Sequence, residues 1–228
     1  MKTKIEIFRF NPKKDPVPYF DVYELNYKKN AKILDVLLDI FFNYDSSISF
    51  DYCCKTGTCG LCGVMVNKKS VLLCKESIAQ HIIIEPLFNF KVAKDLIVDR
   101  DHYKERLKRI QLFLDKLSKS NIKSKSTEIE IPFIKELKYA SRCIECFCCL
   151  AACPVYGKNL QVFSGAAGLV REALYFFNTK IQINRKSTLD LNATDLCLEC
   201  GQCSYVCPVQ ANPLLLIKKM KQTKKELI

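Results

Sequence analysis

Fourteen cysteines in a chain of 228 residues are the side chains that could do chemistry, and their spacing sorts them. Two runs, Cys143-Ile-Glu-Cys146-Phe-Cys-Cys149-Leu-Ala-Ala-Cys153-Pro154 and Cys197-Leu-Glu-Cys200-Gly-Gln-Cys203-Ser-Tyr-Val-Cys207-Pro208, follow one Cys-x2-Cys-x2-Cys-x3-Cys-Pro template, 54 residues apart. An iron-sulfur cube of four irons needs one thiolate for each. A tight loop supplies three, and the fourth comes from the other run because the following Pro turns the chain away. This assigns Cys143, Cys146, Cys149 and Cys207 to one 4Fe-4S cluster, and Cys153, Cys197, Cys200 and Cys203 to a second. Zinc sites close tetrahedrally on pairs of ligands and do not call for triplets followed by Cys-Pro.

A third set lies earlier: Cys54-Lys-Thr-Gly-Thr-Cys59-Gly-Leu-Cys62, with eleven residues between Cys62 and Cys74. Cys-x4-Cys-x2-Cys with a distant fourth Cys is the spacing of plant-type 2Fe-2S ferredoxins. Gly57 and Gly60 let the loop wrap closely and aim N–H groups at the cluster sulfides. Cys53 and Cys148 adjoin ligands but break the gaps if substituted for them, so both are read as small buried packing residues. The two histidines, His81 and His102, lie outside the Cys runs and are read as ordinary surface or hydrogen-bonding residues rather than a Rieske pair. No nucleophile-base set, phosphate loop or paired carboxylates stand out, so the chain transfers electrons and has no substrate site of its own.

The elements that must position these ligands follow from periodicity. Lys4 to Phe10 and Tyr19 to Leu25 alternate as strands, joined through a Pro-rich turn, and Ala31 to Asn43 carries an apolar face of helical period. The Cys loop is followed by strands Gly63 to Val66, Val71 to Cys74 and Ile82 to Glu85, with Asn67-Lys-Lys as a turn. This order predicts an α+β N-terminal β-grasp 2Fe-2S ferredoxin domain over 1–100. A helix from Tyr103 to Leu117 and a polar Ser/Lys-rich linker fill 101–137, and an all-α two-cluster domain occupies 138–228.

Composition narrows the partners. The opening Met1-Lys-Thr-Lys-Ile-Glu-Ile-Phe lacks the apolar core of a signal peptide, which argues against stable disulfides. The best apolar run, Ile33 to Phe42, is short and carries Asp35 and Asp39, so no membrane span is expected. The formal net charge of +12 counts every Cys as neutral. Three oxidised clusters at about −2 each take it to roughly +6. The lysines are scattered and no helix-turn-helix signature accompanies them, which excludes nucleic acid as the expected partner.

The Cys order, with Phe8-Arg-Phe-Asn-Pro, Ser49-Phe50-Asp51, Glu85-Pro-Leu-Phe, Lys94-Asp95-Leu-Ile-Val-Asp99, Phe163-Ser-Gly-Ala-Ala-Gly-Leu169 and Asn212-Pro213, resembles the iron-sulfur subunits of succinate dehydrogenases and fumarate reductases over nearly the whole chain. The resemblance implies an FAD-containing catalytic subunit as partner and a membrane-side anchor, with electrons passing singly along flavin, 2Fe-2S, first cube and second cube. It also implies a peripheral membrane protein on the cytoplasmic side, associated with the bilayer only through partners. Common members lack the second Cys of the third motif and so hold 3Fe-4S; here Cys200 is present. They also carry a Trp and a His near bound quinone, where this chain has Val155-Tyr-Gly157 and Leu198. The departures resemble the variant group, methylmenaquinol:fumarate reductase-like, whose anchor is a Cys-rich, heterodisulfide-reductase-like protein.

Overall fold

The computed structural model describes residues 2–108, 133–178 and 185–226. They divide into two compact units, Met1–Asp99 with Ile144–Ala152, and Arg100–Cys143 with Cys153–Ile228. The expected division at 100 and 137 is one of sequence; in space the first unit also takes in Ile144–Ala152. The linker over 118–127 and the second half of the expected Tyr103–Leu117 helix lie outside the described residues, and 101–108 is helical.

In the first unit, strands β1 (Lys2–Arg9), β2 (Tyr19–Asn26), β3 (Gly63–Val66), β4 (Lys69–Leu72) and β5 (His81–Glu85) form one mixed sheet in the order β2-β1-β5-β3-β4. β1 runs antiparallel to β2 and parallel to β5, with Ile5 opposite Ile82 and Ile7 opposite Ile84. Alternation puts Thr3, Ile5, Ile7 and Arg9 on the buried face of β1. Helix α1 (Ile33–Asn43) buries Ile33, Leu34, Val36, Leu37, Leu38 and Ile40, which gives the unit its apolar core.

β4 starts at Lys69, ahead of the Val71 start that the sequence pattern predicts. Asn67 and Lys68 both take left-handed φ (47° and 66°), and Val66 pairs with Lys69. That makes a two-residue hairpin of the type whose twist matches its strands, and Lys69 belongs to the ladder. A short hairpin of β6 (Val92–Lys94) and β7 (Ile97–Val98) has no counterpart among the expected strands; elements of two or three residues leave no periodic signal.

At the end of β1 the buried guanidinium of Arg9 meets Asp21, Asp45 (2.5 Å), Asp95 (3.4 Å) and Ser47 Oγ (2.7 Å). Asp95, also buried, accepts the backbone N–H of Phe10 at 3.0 Å and of Ser49 at 2.9 Å. Residues 9, 49 and 95, from three of the resembling motifs, thus form one network that ties the strand, the approach to the Cys loop and the β6–β7 hairpin. Burial alone would lower the Arg9 pKa, but Asp45, Asp95 and Asp21 raise it.

In the second unit, helices α2 (Ile134–Ala140), α4 (Gly165–Phe176) and α7 (Pro213–Glu226) pack on one another, and α5 (Arg185–Leu191) joins them. The short helices α3 (Cys148–Ala151), in the first unit, and α6 (Gln202–Tyr205), in the second, lie within the two Cys runs. The small residues Ala166, Ala167 and Ala173 of α4 are buried, as are Leu216, Ile217 and Met220 of α7, which lets the two helices approach closely. Buried Glu136 of α2 is paired with Lys219 of α7: burial pushes its pKa up, and the lysine, a backbone N–H and Lys135 together bring it below the usual carboxylate value.

Candidate metal centres

The N-terminal Cys set lies within the first unit, with Cys59 beside Cys54 and Cys62 beside Cys74. Cys54 Sγ accepts backbone N–H groups from Thr56 (3.4 Å), Thr58 (3.3 Å) and Cys59 (3.4 Å). The side-chain and backbone donors of Thr56 and Thr58 hold its pKa down at about 4, which favours the thiolate, the form that ligates iron. Cys62 and Cys74 are buried with their sulfurs 3.4 Å apart, a contact well beyond the ~2.05 Å of a disulfide. Burial, with Cys74 and Cys59 adding to it, pushes the Cys62 thiol to about 12. Crowded thiols of this kind favour a cationic metal centre that displaces their protons. Gly57 (φ 81°) and Gly60 (φ 73°) make the left-handed turns that fold the loop.

Gly60 has a second role. A Cβ there would stand 2.4 Å from the carbonyl oxygen of Ile144, and one on Gly63 would stand 2.6 Å from that of Cys146. The missing side chains leave room for the 144–152 segment, which carries Cys146, Cys148 and Cys149. Ser70 Oγ donates to the Cys148 carbonyl (2.9 Å), Asn89 Nδ2 donates to those of Leu150 and Ala151 (2.8 and 3.2 Å), and Phe90 packs on Phe147. Two Cys-bearing loops of the first unit are therefore in van der Waals contact.

In the second unit one cavity is lined by Cys153, Cys197, Cys200 and Cys203, with Phe163 and Ile217 among its apolar walls. Four thiols around one cavity are the donor set that a four-iron cluster takes, one thiolate for each iron. Burial pushes the Cys203 thiol up to about 12, with Cys197, Cys153 and Cys200 each adding to the rise. The Cys153 thiol is raised by burial in the same way.

Of the remaining set, Cys146 and Cys149 lie in the first unit, Cys143 and Cys207 in the second. Within the second, Arg142 Nη1 donates to the Gln210 carbonyl (3.4 Å) and Ala211 N–H to Cys207 Sγ (3.3 Å).

The two runs share a backbone that spacing could not reveal. Glu145 (φ 50°) and Phe147 (φ 63°) flank Cys146 in left-handed conformation, as Glu199 (φ 56°) and Gly201 (φ 81°) flank Cys200, and a short helix follows in each case. Three of these four residues are not glycine, and such strain persists where the surroundings over-determine it, typically at functional sites. The signal in the sequence is the Glu repeated at 145 and 199. Cys148 is fully buried as expected, but Cys53 is exposed, which corrects its reading as a buried packing residue. The sequence neighbours of a solvent-facing ligand loop have no core to enter. His81 hydrogen-bonds Glu6 (2.8 Å) and His102 hydrogen-bonds Tyr156 Oη (2.8 Å).

A sheet bearing one Cys loop, followed by helices bearing a doubled Cys run, defines an iron-sulfur electron-transfer protein. Residues 4–105 match the 2Fe-2S iron-sulfur cluster binding domain family, and residues 139–211 the 4Fe-4S dicluster domain family. The chain is 32% identical to the fumarate reductase iron-sulfur subunit of Haemophilus influenzae, covering 95% of this chain and 91% of that one. It is 28% identical to a subunit of the CoM/CoB fumarate reductase of Methanothermobacter marburgensis, over 91% of this chain and 41% of that protein. Its fold matches a chain of the Mycobacterium smegmatis Sdh1 complex in the apo form, with TM-score 0.88, 20% identity and coverage of 99% and 96%. The chain belongs to the family of fumarate reductase and succinate dehydrogenase iron-sulfur subunits, and it is the electron-transfer subunit of such an oxidoreductase.

Proposed function

We propose that the chain holds one 2Fe-2S cluster on Cys54, Cys59, Cys62 and Cys74, and two 4Fe-4S clusters. The first is held by Cys143, Cys146, Cys149 and Cys207, the second by Cys153, Cys197, Cys200 and Cys203. Bound clusters supply one-electron transfer, which a flavin able to exchange two electrons feeds or drains one at a time. The protein's residues hold the thiolates in order, donate N–H groups to sulfur and wall the second site in apolar side chains. The contact of the 144–152 segment with the 2Fe-2S loop at Gly60 supports direct passage from the first cluster to the next.

The partners on this reading are an FAD-containing catalytic subunit and a membrane-side anchor, which brings the complex to the cytoplasmic face of a membrane. No helix among the described residues is long and apolar enough to cross a bilayer. Exposed Leu198 and Tyr205, on the loop and helix that carry Cys197 to Cys203, give the anchor an apolar surface beside the last cluster. The single observation that carries the two-cube reading is the convergence of four thiols, Cys200 included, on one cavity. It is tested by iron and acid-labile sulfide in protein prepared without air: about ten of each per chain is expected, and values near those of one cluster fewer overturn it.

Likeness to the CoM/CoB fumarate reductase favours a second reading, in which the same wire serves a thiol-linked fumarate reductase with a Cys-rich partner. Fumarate reduction by the intact complex with quinol and with thiol donors separates the two.

A further inference from the structure

We propose that Lys221 is a positioning residue for the second cluster, its ammonium setting that cluster's reduction potential against the opposing carboxylate of Glu199. Ile217 and Met220 anchor α7 in the core and thereby place Lys221 beside the Cys197–Cys200 loop. Its Nζ donates to the Cys197 carbonyl at 2.8 Å and to Glu199 Oε1 at 3.0 Å, and only 16% of the side chain is exposed. Lys218 Nζ stands 4.0 Å from the other Glu199 oxygen and is more than half exposed. Glu199 is one of the left-handed residues, lying between the ligands Cys197 and Cys200.

A four-thiolate cluster gains one negative charge on reduction, so a fixed cation nearby favours the reduced state and a carboxylate opposes it. Lys221 is largely buried while Glu199 is 37% exposed, so the charge of the lysine is screened less than a surface charge would be. Lys221 also restrains the loop through the Cys197 carbonyl, so one residue sets both the position and the potential of the site. The inference rests on the reading that Cys197 ligates a cluster, and holds for a cluster of three or four irons.

The test is an EPR-monitored redox titration of the whole complex with its clusters loaded. Lys221→Met is expected to leave Glu199 poorly compensated and make reduction of the second cluster at least tenfold less favourable, a downward shift of about 59 mV for one electron. Glu199→Gln is expected to shift it upward, the double variant to return near wild type, and Lys221→Arg to keep the wild-type value. The 2Fe-2S potential is expected to stay fixed throughout. Unmoved potentials, or single variants that move the same way, would overturn the role of Lys221. In the same series Cys203→Ala must abolish one cluster signal; if every signal survives, the ligand assignment fails instead.

Discussion

The two units weight hydrogen-bond donors and burial differently around their thiols, although burial raises Cys62 in the sheet unit as it raises Cys203 in the helical one. In the sheet unit the Cys54 sulfur sits among three backbone N–H donors on an open loop, and a buried charge network braces the strand beneath it. In the helical unit the four Cys line a cavity with apolar walls, and burial raises the thiols of Cys153 and Cys203. Hydrogen bonds to sulfur and exposure favour the more negative state of a cluster, whereas burial among apolar groups disfavours it. In the helical site the backbone of Val155 and Tyr156 donates to Cys153 and that of Ser204 to Cys203, and the Lys221–Glu199 ion pair lies on the same ligand loop.

The largest test of this contrast is to remove the charge that braces each unit. Arg9→Met strands Asp95 and its neighbours around a buried position, and is expected to cost about 3–5 kcal/mol of stability. Lys219→Met leaves buried Glu136 without its ion pair, but the lysine is half exposed, so a smaller loss of about 1–3 kcal/mol is expected there. Denaturant midpoints of the two variants check the order; a larger loss from Lys219→Met would invert the contrast.

Next comes Gly60→Ala, which adds left-handed strain to a clash with the Ile144 carbonyl. The expected cost is about 2–4 kcal/mol. Because the clash falls on the segment that carries Cys146, the variant is also expected to lose iron from the first cube before the second, as read from iron content and EPR signals.

The smallest expected effect is on acid stability. Burial opposes ionisation of Asp45, yet Ser47 and Arg9 hold its pKa down at about 2. A depressed carboxylate pKa stabilises the fold above the unfolded value of about 3.9, and that contribution is lost as pH falls towards 2. The stability gap between wild type and Asp45→Asn, measured by urea unfolding, is therefore expected to close between about pH 5 and pH 2; a constant gap would show that Asp45 acts without its charge.

Ligand spacing, the alternating strands and the apolar face of α1 are legible because each is a local pattern. Arg9 and Asp95 are 86 positions apart, and Lys221 and Glu199 are 22, so neither pair leaves a local mark. The turn at Asn67-Lys68 lacks the glycine that usually signals such a hairpin, so the pattern alone starts β4 too late. The 144–152 segment joins the sheet unit through Gly60 and Gly63, whose empty space is filled by backbone remote in sequence. Glu145, Phe147 and Glu199 take a conformation their residue types disfavour, which only the folded loop makes visible.

Low-temperature EPR of the anaerobically prepared, fully oxidised complex tests the central claim most directly. On the proposed assignment, in which Cys200 completes a four-thiolate set, the oxidised protein is expected to be silent in the region where three-iron clusters give their ferric signal. A three-iron signal in proportion of one per chain would contradict it.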